Sequence, residues 1–309
     1  MKRIRHVFTA TDLSDHALPA LERSFQLAQA AGLRLTVMTA LGLDALGPLR
    51  NLLGDRADEV TQRALAQRRA ELEALVGVPR RNRGVTAGLL VEEGLATTVV
   101  PARAIAADAD LVVVGARGES LVRRLLIGST ASRLLRKSRC PVLVVRHACR
   151  GPYRRVLVPV DFSPGSALTV EIARELAPDA HLVLLHVFDV PFEGMLQHAG
   201  VQQDTIHRYR IEARQRAMRQ LHALAAPLEA AKASFTTLVE HGDATAQILA
   251  QQAHHRCDLV VMGKHGTHVT EELLLGSVTK RVLSEARADV LVVVDKRGVE
   301  PEPPPGGAH

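Results

Sequence analysis

Short unbroken aliphatic runs, such as Leu111-Val112-Val113-Val114 and Leu259-Val260-Val261-Met262, recur along this chain. Longer stretches rich in Ala, Arg and Glu separate them. An aliphatic run without polar alternation suits a strand covered on both faces. In one long stretch Ile206, Tyr209, Ala213, Ala217, Leu221 and Leu224 return at helical spacing, which suits an amphipathic helix. The second half predicts strands over 154–160, 181–187, 234–240, 258–262 and 289–294, with helices over 165–177, 203–226, 245–255 and 277–285. The first half predicts strands over 4–10, 34–41, 85–91, 110–115 and 141–146. Strand–helix alternation implies a parallel sheet with helices on both faces. Right-handed crossovers favour a doubly wound α/β sheet, with strand order 3-2-1-4-5 expected.

The two halves are copies of one pattern. VFTATDLSDHALPALERSFQLA from Val7 matches VLVPVDFSPGSALTVEIARELA from Val156, and VEEGLATTVVPARAIAADADLVVVGARG matches VEHGDATAQILAQQAHHRCDLVVMGKHG. CPVLVV from Cys140 matches ADVLVVV from Ala288. The offset holds at 148 or 149, so this is a duplicated domain rather than a solenoid array. The expected division is residues 1–148, residues 153–296 and a disordered Pro/Gly-rich tail over 297–309.

Composition narrows the picture. Hydrophobic residues make up 47 % of the 309, yet aromatics only 3 %, and Trp is absent. The core is therefore aliphatic. The net charge of +6 is uneven, with Arg concentrated in residues 1–150. A basic half raises nucleic acid as a partner, but the arginines scatter over several predicted helices and no aromatic platform accompanies them, so a solvated surface is expected. Cys140, Cys149 and Cys257 show no paired spacing, which suits a reducing compartment. No run reaches the roughly 18 apolar residues of a membrane span, and no signal peptide is read. The expectation is a cytoplasmic protein.

Candidate chemistry lies where the winding reverses, between strands 1 and 4. Strand 1 of the two units leads to Asp12 and Asp161, and strand 4 to Gly115 and Gly263. Each of these glycines opens a Gly-x2-Gly-x9-Gly-Ser stretch: Gly115, Gly118, Gly128-Ser129 and Gly263, Gly266, Gly276-Ser277. Gly115 and Gly118 are expected to turn with positive φ and expose bare backbone. Gly128-Ser129-Thr130 opens a helix whose unpartnered amides suit an anion. A carboxylate facing a helix N-terminus suits a nucleotide. The competing structural role is that Asp12 caps the next helix. The spacing is neither the Walker nor the dinucleotide loop.

These features together resemble the universal stress protein family, as two UspA-type domains in tandem. TATDLS and VPVDFS, the spaced glycines, EEG and EHG after strand 3, and the CPVLVV/ADVLVVV ends carry the resemblance over nearly the whole chain. It implies an adenine nucleotide alpha hydrolase-like fold. It also implies the family's ATP-binding branch, with ADP or AMP as alternatives and Mg²⁺ as companion. The implied contacts in the first unit are Asp12, Ala40, Val114, Gly115, Gly118, Gly128, Ser129 and Thr130. In the second they are Asp161, Val187, Met262, Gly263, Gly266, Gly276, Ser277, Val278 and Thr279. Ala131 stands where the second unit has Thr279, removing one hydroxyl. An intramolecular pseudo-dimer through the last strands, with room for a homodimer and a regulatory protein partner, is implied as well.

Other readings are weaker. His265-x-x-His268 with His241, and His254-His255 with Cys257, suggest metal, but solvated loop histidines are commoner, and no metal site is assigned. Ser129 and Ser277 have no histidine beside them in the motif, so no catalytic residue is assigned. The expectation is a nucleotide-binding regulatory protein rather than an enzyme. The alternatives are a slow ATPase or phosphoryl- or nucleotidyl-transfer enzyme, or an adaptor without ligand.

Overall fold

A computed structural model describes residues 4–42, 57–116, 128–189, 202–264 and 275–294. The expected tail over 297–309 lies outside them. The first unit runs β1 (His6–Ala10), α1 (Leu18–Ala31), β2 (Arg34–Leu41), α2 (Ala57–Val76), the single turn α3 (Pro79–Asn82), β3 (Ala87–Glu93), α4 (Ala96–Ala106), β4 (Leu111–Gly115), α5 (Ser129–Lys137) and β5 (Val142–Val145). The second repeats the course: β6 (Arg155–Pro159), α6 (Pro164–Leu176), β7 (His181–Phe188), α7 (Gln203–Ala230), β8 (Phe235–His241), α8 (Ala244–His254), β9 (Leu259–Gly263), α9 (Ser277–Glu285) and β10 (Asp289–Val293).

All ten strands form one sheet in the order β3-β2-β1-β4-β5-β10-β9-β6-β7-β8. Each half has order 3-2-1-4-5 with parallel pairing, as the alternation of elements implies. The halves meet at β5 and β10, which pair antiparallel with Leu143 opposite Leu291 and Val144 opposite Val290. An isolated unit would present β5 as an aliphatic sheet edge, and this pairing covers it.

The unbroken aliphatic runs are explained by two cores. Val7, Leu111, Val113, Leu143 and Leu291 pack with Leu21 and Phe25 of α1 on one face. Phe8, Val112, Val114, Val142 and Val290 pack with Val100 of α4 and Leu134 of α5 on the other. Alternate residues of a strand point to opposite faces, so a strand covered on both sides must be apolar throughout. Element positions follow the pattern closely. β3 and β8 begin and end about two and one residues later than expected, because edge strands tolerate polar ends such as Glu92 and Glu93. Helix α7 continues past Pro227 to Ala230, with Leu228 buried.

Candidate functional site

The carboxyl end of strand 1 is built the same way in both units. Leu13 has φ 66° and Phe162 has φ 60°, a left-handed conformation that a Cβ disfavours. An aspartate braces each turn. Asp12 Oδ1 accepts the backbone N–H of Ser14 at 3.0 Å and its hydroxyl at 2.6 Å. Asp161 Oδ1 accepts the N–H of Ser163 and the hydroxyl of Ser166, both at 3.0 Å. Leu13 and Phe162 both pack against the core, which offsets the backbone strain. Asp12 thus does not cap α1, which begins at Leu18 after Ala17 with no side-chain cap. Asp161 does reach the first turn of α6 through Ser166.

Strand 4 ends beside this turn. Ala10 of β1 lies opposite Val114 of β4, so Asp12 and Gly115 leave the sheet at neighbouring points. In the second unit β6 pairs β9 in the same parallel sense, Leu157 opposite Val260. The chain then returns to start a helix against the strand end. Gly128 N–H donates to Ala116 O at 3.0 Å, and Gly276 N–H donates to Lys264 O at 3.1 Å. Gly128 (φ −56°, ψ 151°) and Gly276 (φ −54°, ψ 148°) are the N-caps of α5 and α9, and no side chain caps either helix. Leading amides without a side-chain cap, at the positive end of the helix dipole, suit an anion.

Gly115 does not turn with positive φ as expected. Gly115 and Gly263 finish their strands in extended conformation, and Ala116 N–H still bonds to Val145 O at 2.8 Å. Positive φ belongs instead to Gly94 (131°) and Gly242 (118°) of the EEG and EHG stretches, whose N–H groups bond to Leu41 O and Phe188 O. Gly118 and Gly266, with His265, His268, Arg123, Arg124, Glu271 and Glu272, lie outside the described residues.

The remaining candidates divide by burial. Val114 and Met262 are buried in the core, so only their backbone borders the crevice. Ala40 lies near the end of β2 opposite Glu92, and Val187 near the end of β7 opposite Glu240. Val187 is half-buried against the core on the α9 side. Thr130 and Val278 are half-buried and Ser277 is exposed. Ser129 begins α5. Thr279 is buried and donates its hydroxyl to Gly263 O at 3.0 Å. Its single donor hydrogen is committed to the strand end, so it holds helix to strand rather than offering a donor to phosphate. At the matching place Ala131 fills core space with 2 % exposure.

In the second unit aromatic rings meet near the carboxyl ends of β6, β7 and β8. Phe162 stacks on His186 at 4.2 Å, and Phe188 meets His241 at 5.2 Å. His186 Nδ1 donates to Val160 O at 2.8 Å. Burial pulls its pKa below the ordinary value, against the raising influence of the Val160 carbonyl and Asp161. Among the described residues no group of three or more His, Cys, Asp or Glu is placed to hold a metal ion.

Two basic residues beside the site were not signalled by motif. Lys264 follows Gly263 directly and is only 4 % exposed, yet its Nζ donates to Arg136 O at 2.8 Å, in the other unit. Arg146, after β5, donates to Leu283 O in α9. A clue was available at Lys264, since a long basic residue there replaces Ala116 of the first unit.

Comparison with known proteins now decides the family. The profile of the Universal stress protein family matches residues 3–146 and again 152–294. The chain belongs to the universal stress protein family, in tandem. A universal stress protein from Thermus aquaticus is 37 % identical over 144 residues, 45 % of this chain and 97 % of that protein. One from Mycobacterium tuberculosis is 32 % identical over 216 residues, covering 67 % of this chain and 66 % of its own. The crystal structure of a universal stress protein from Archaeoglobus fulgidus superposes with TM-score 0.65 at 19 % identity, over 95 % of this chain and 99 % of that one. At that identity the likeness speaks for the fold. Among the described residues no helix is long and apolar enough to cross a membrane.

Proposed function

We propose that this universal stress protein binds adenine nucleotide, ATP above all, in both units, and acts as a regulatory protein in the stress response. The observation that carries the reading is the repeated juxtaposition at the carboxyl ends of strands 1 and 4 of each unit. A braced aspartate stands on one side of the winding reversal, and a glycine-capped helix N-terminus stands on the other. In this reading the base and ribose lie by Asp161 and Val187, and the phosphates meet the amides of Ser277 and Val278 beside the side-chain-free Gly276. Asp12, Ala40 and the Gly128-Ser129-Thr130 turn serve the first unit in the same way. A Cβ at Gly276 or Gly263 would stand where phosphate approaches backbone. Mg²⁺ would accompany the triphosphate and neutralise its charge.

Hydrolysis is expected to be slow. The motif offers a single acid per unit on the base side of the crevice, and Ser277 has no base beside it in the motif, so positioning alone would act on the phosphate. The protein would then respond to nucleotide through conformation and partners in the cytoplasm. Isothermal calorimetry with ATP, ADP and AMP tests the reading: saturable uptake of up to two ATP per chain supports it, and no uptake of any of the three at high micromolar concentration overturns it. Mass spectrometry of nucleotide released from purified protein, with a steady-state ATPase assay using Asp161→Ala as control, extends the test.

A further inference from the structure

The two candidate phosphate helices are tied, each at its far end, to the opposite unit. α5 begins at the Gly128 cap, and near its last turn Arg136 O accepts the Lys264 ammonium at 2.8 Å. Lys264 belongs to the second unit's glycine loop: its own carbonyl accepts Gly276 N–H, and its N–H donates to Val293 O of β10. In return, the Arg146 guanidinium donates to Leu283 O in the last turns of α9, whose cap is Gly276. The Arg146 backbone N–H donates to Asp289 Oδ1 at 2.7 Å, and the His147 ring bonds to Arg287 O just beyond α9.

The placement of charge is favourable. Helix carbonyl ends carry partial negative charge, and each here receives a cation. Lys264 is buried, so its charge-assisted bond to Arg136 O is geometrically demanding. A nine-residue helix is about 13 Å long and moves as a rod. Holding the Gly276 cap therefore holds the Lys264 carbonyl, and through the Lys264 ammonium the carbonyl end of α5, and with it the N-terminal end that faces the other ligand.

Resting on the nucleotide reading above, the geometry points to positive coupling between the two sites through Lys264 and Arg146. ATP held at one helix cap positions the helix of the other unit, and linkage requires the effect to be equal in both directions. Neither residue touches the nucleotide in this scheme. They transmit position.

The test uses the full chain. Ser277→Glu and Ser129→Glu each place a carboxylate at one helix N-terminus, where the helix tolerates it and phosphate does not. Calorimetric titration of these two variants with ATP gives the separate affinity of each surviving site. The unaltered chain is expected to bind its second ATP at least about fivefold more tightly than those separate values allow. Lys264→Met with Arg146→Met is expected to keep both sites and bring the stepwise affinities back to the separate values. If that double variant melts below working temperature, Lys264→Met alone is expected to reduce the enhancement. Stepwise affinities in the unaltered chain equal to or weaker than the separate values overturn the coupling while leaving nucleotide binding intact. An enhancement unchanged by the Lys264 and Arg146 substitutions also overturns it. A chain that takes up no ATP overturns the nucleotide reading, and the coupling with it.

Discussion

The hydroxyl of Tyr153 donates to Asp289 Oδ2 at 2.7 Å, joining the segment between the units to the first residue of β10. Arg23 completes the cluster. Its guanidinium lies 3.9 Å from the Tyr153 ring centroid and 3.8 Å from Asp289 Oδ2, and it donates to Gly151 O at 2.6 Å. All three side chains are buried. The first unit's α1, the intervening segment and the second unit's last strand thus share one charged contact.

Removing the carboxylate leaves the Tyr153 hydroxyl and the Arg146 N–H without their acceptor and the buried Arg23 without its counter-charge. Asp289→Ala is expected to destabilise the chain by about 3–5 kcal/mol, the scale for breaking a buried pair. The measurement is urea unfolding. A loss below about 1 kcal/mol, the scale of an exposed pair, would mean the cluster is solvated.

The cluster also sets a pH dependence. Burial and the neighbouring Asp289 push the Tyr153 phenol well above its ordinary value. A raised folded value means the stabilisation is whole below the unfolded value near pH ~10 and is lost as pH rises through the folded one. The urea midpoint should therefore fall steadily above about pH 10, and fall less in Tyr153→Phe, which keeps the ring under Arg23 but has no proton to lose. Burial raises the Asp289 pKa as well, against the lowering influence of its Arg146, Tyr153 and Arg23 partners, so its ionisation costs some stability as pH rises through the acid range, below the range of Tyr153. Equal midpoint loss in both proteins between pH 8 and 11 would contradict the assignment.

Thr279→Ala separates tie from ligand. Its hydroxyl donates to Gly263 O, so the substitution is expected to lower stability by about 1 kcal/mol and leave ATP affinity within about twofold. A tenfold or greater loss of affinity with unchanged melting would make Thr279 a phosphate contact after all.

Gly94 and Gly242 occupy matching places but differ in room. A Cβ at Gly94 would stand 2.8 Å from Val99 Cγ1, whereas at Gly242 the nearest atom is 3.9 Å away. Both have positive φ, so Gly242→Ala is expected to cost about 1–3 kcal/mol and Gly94→Ala more than that. Thermal unfolding of the pair checks the order.

The charge contrast between Arg123-Arg124 and Glu271-Glu272 predicts unequal sites, although all four lie outside the described residues. With the second site disabled by Gly276→Val and the first by Gly128→Val, the surviving first site is expected to prefer ATP over AMP several-fold more than the second. The difference should shrink at high salt. Equal ATP-to-AMP ratios at low salt would refute it.

Much of this protein is legible along the chain. Unbroken aliphatic runs such as Leu111–Val114 announce strands buried on both faces, because alternate side chains have no wet side to occupy. The 148-residue repeat announces two like units, and spacing alone brings Asp12 and Gly115 toward one crevice, since both follow parallel strands. What the sequence could not settle depends on groups distant in the chain. Gly115 reads as a turn former, but it finishes β4 as strand, and it is Leu13 and Phe162 that turn left-handed, because packing against the core outweighs local preference. Thr279 reads as a free hydroxyl until its donor is found committed to Gly263. The contacts of Lys264 with Arg136 and of Asp289 with Tyr153 exist only once β5 meets β10 antiparallel, and no local pattern encodes which buried polar group will find which partner across that joint.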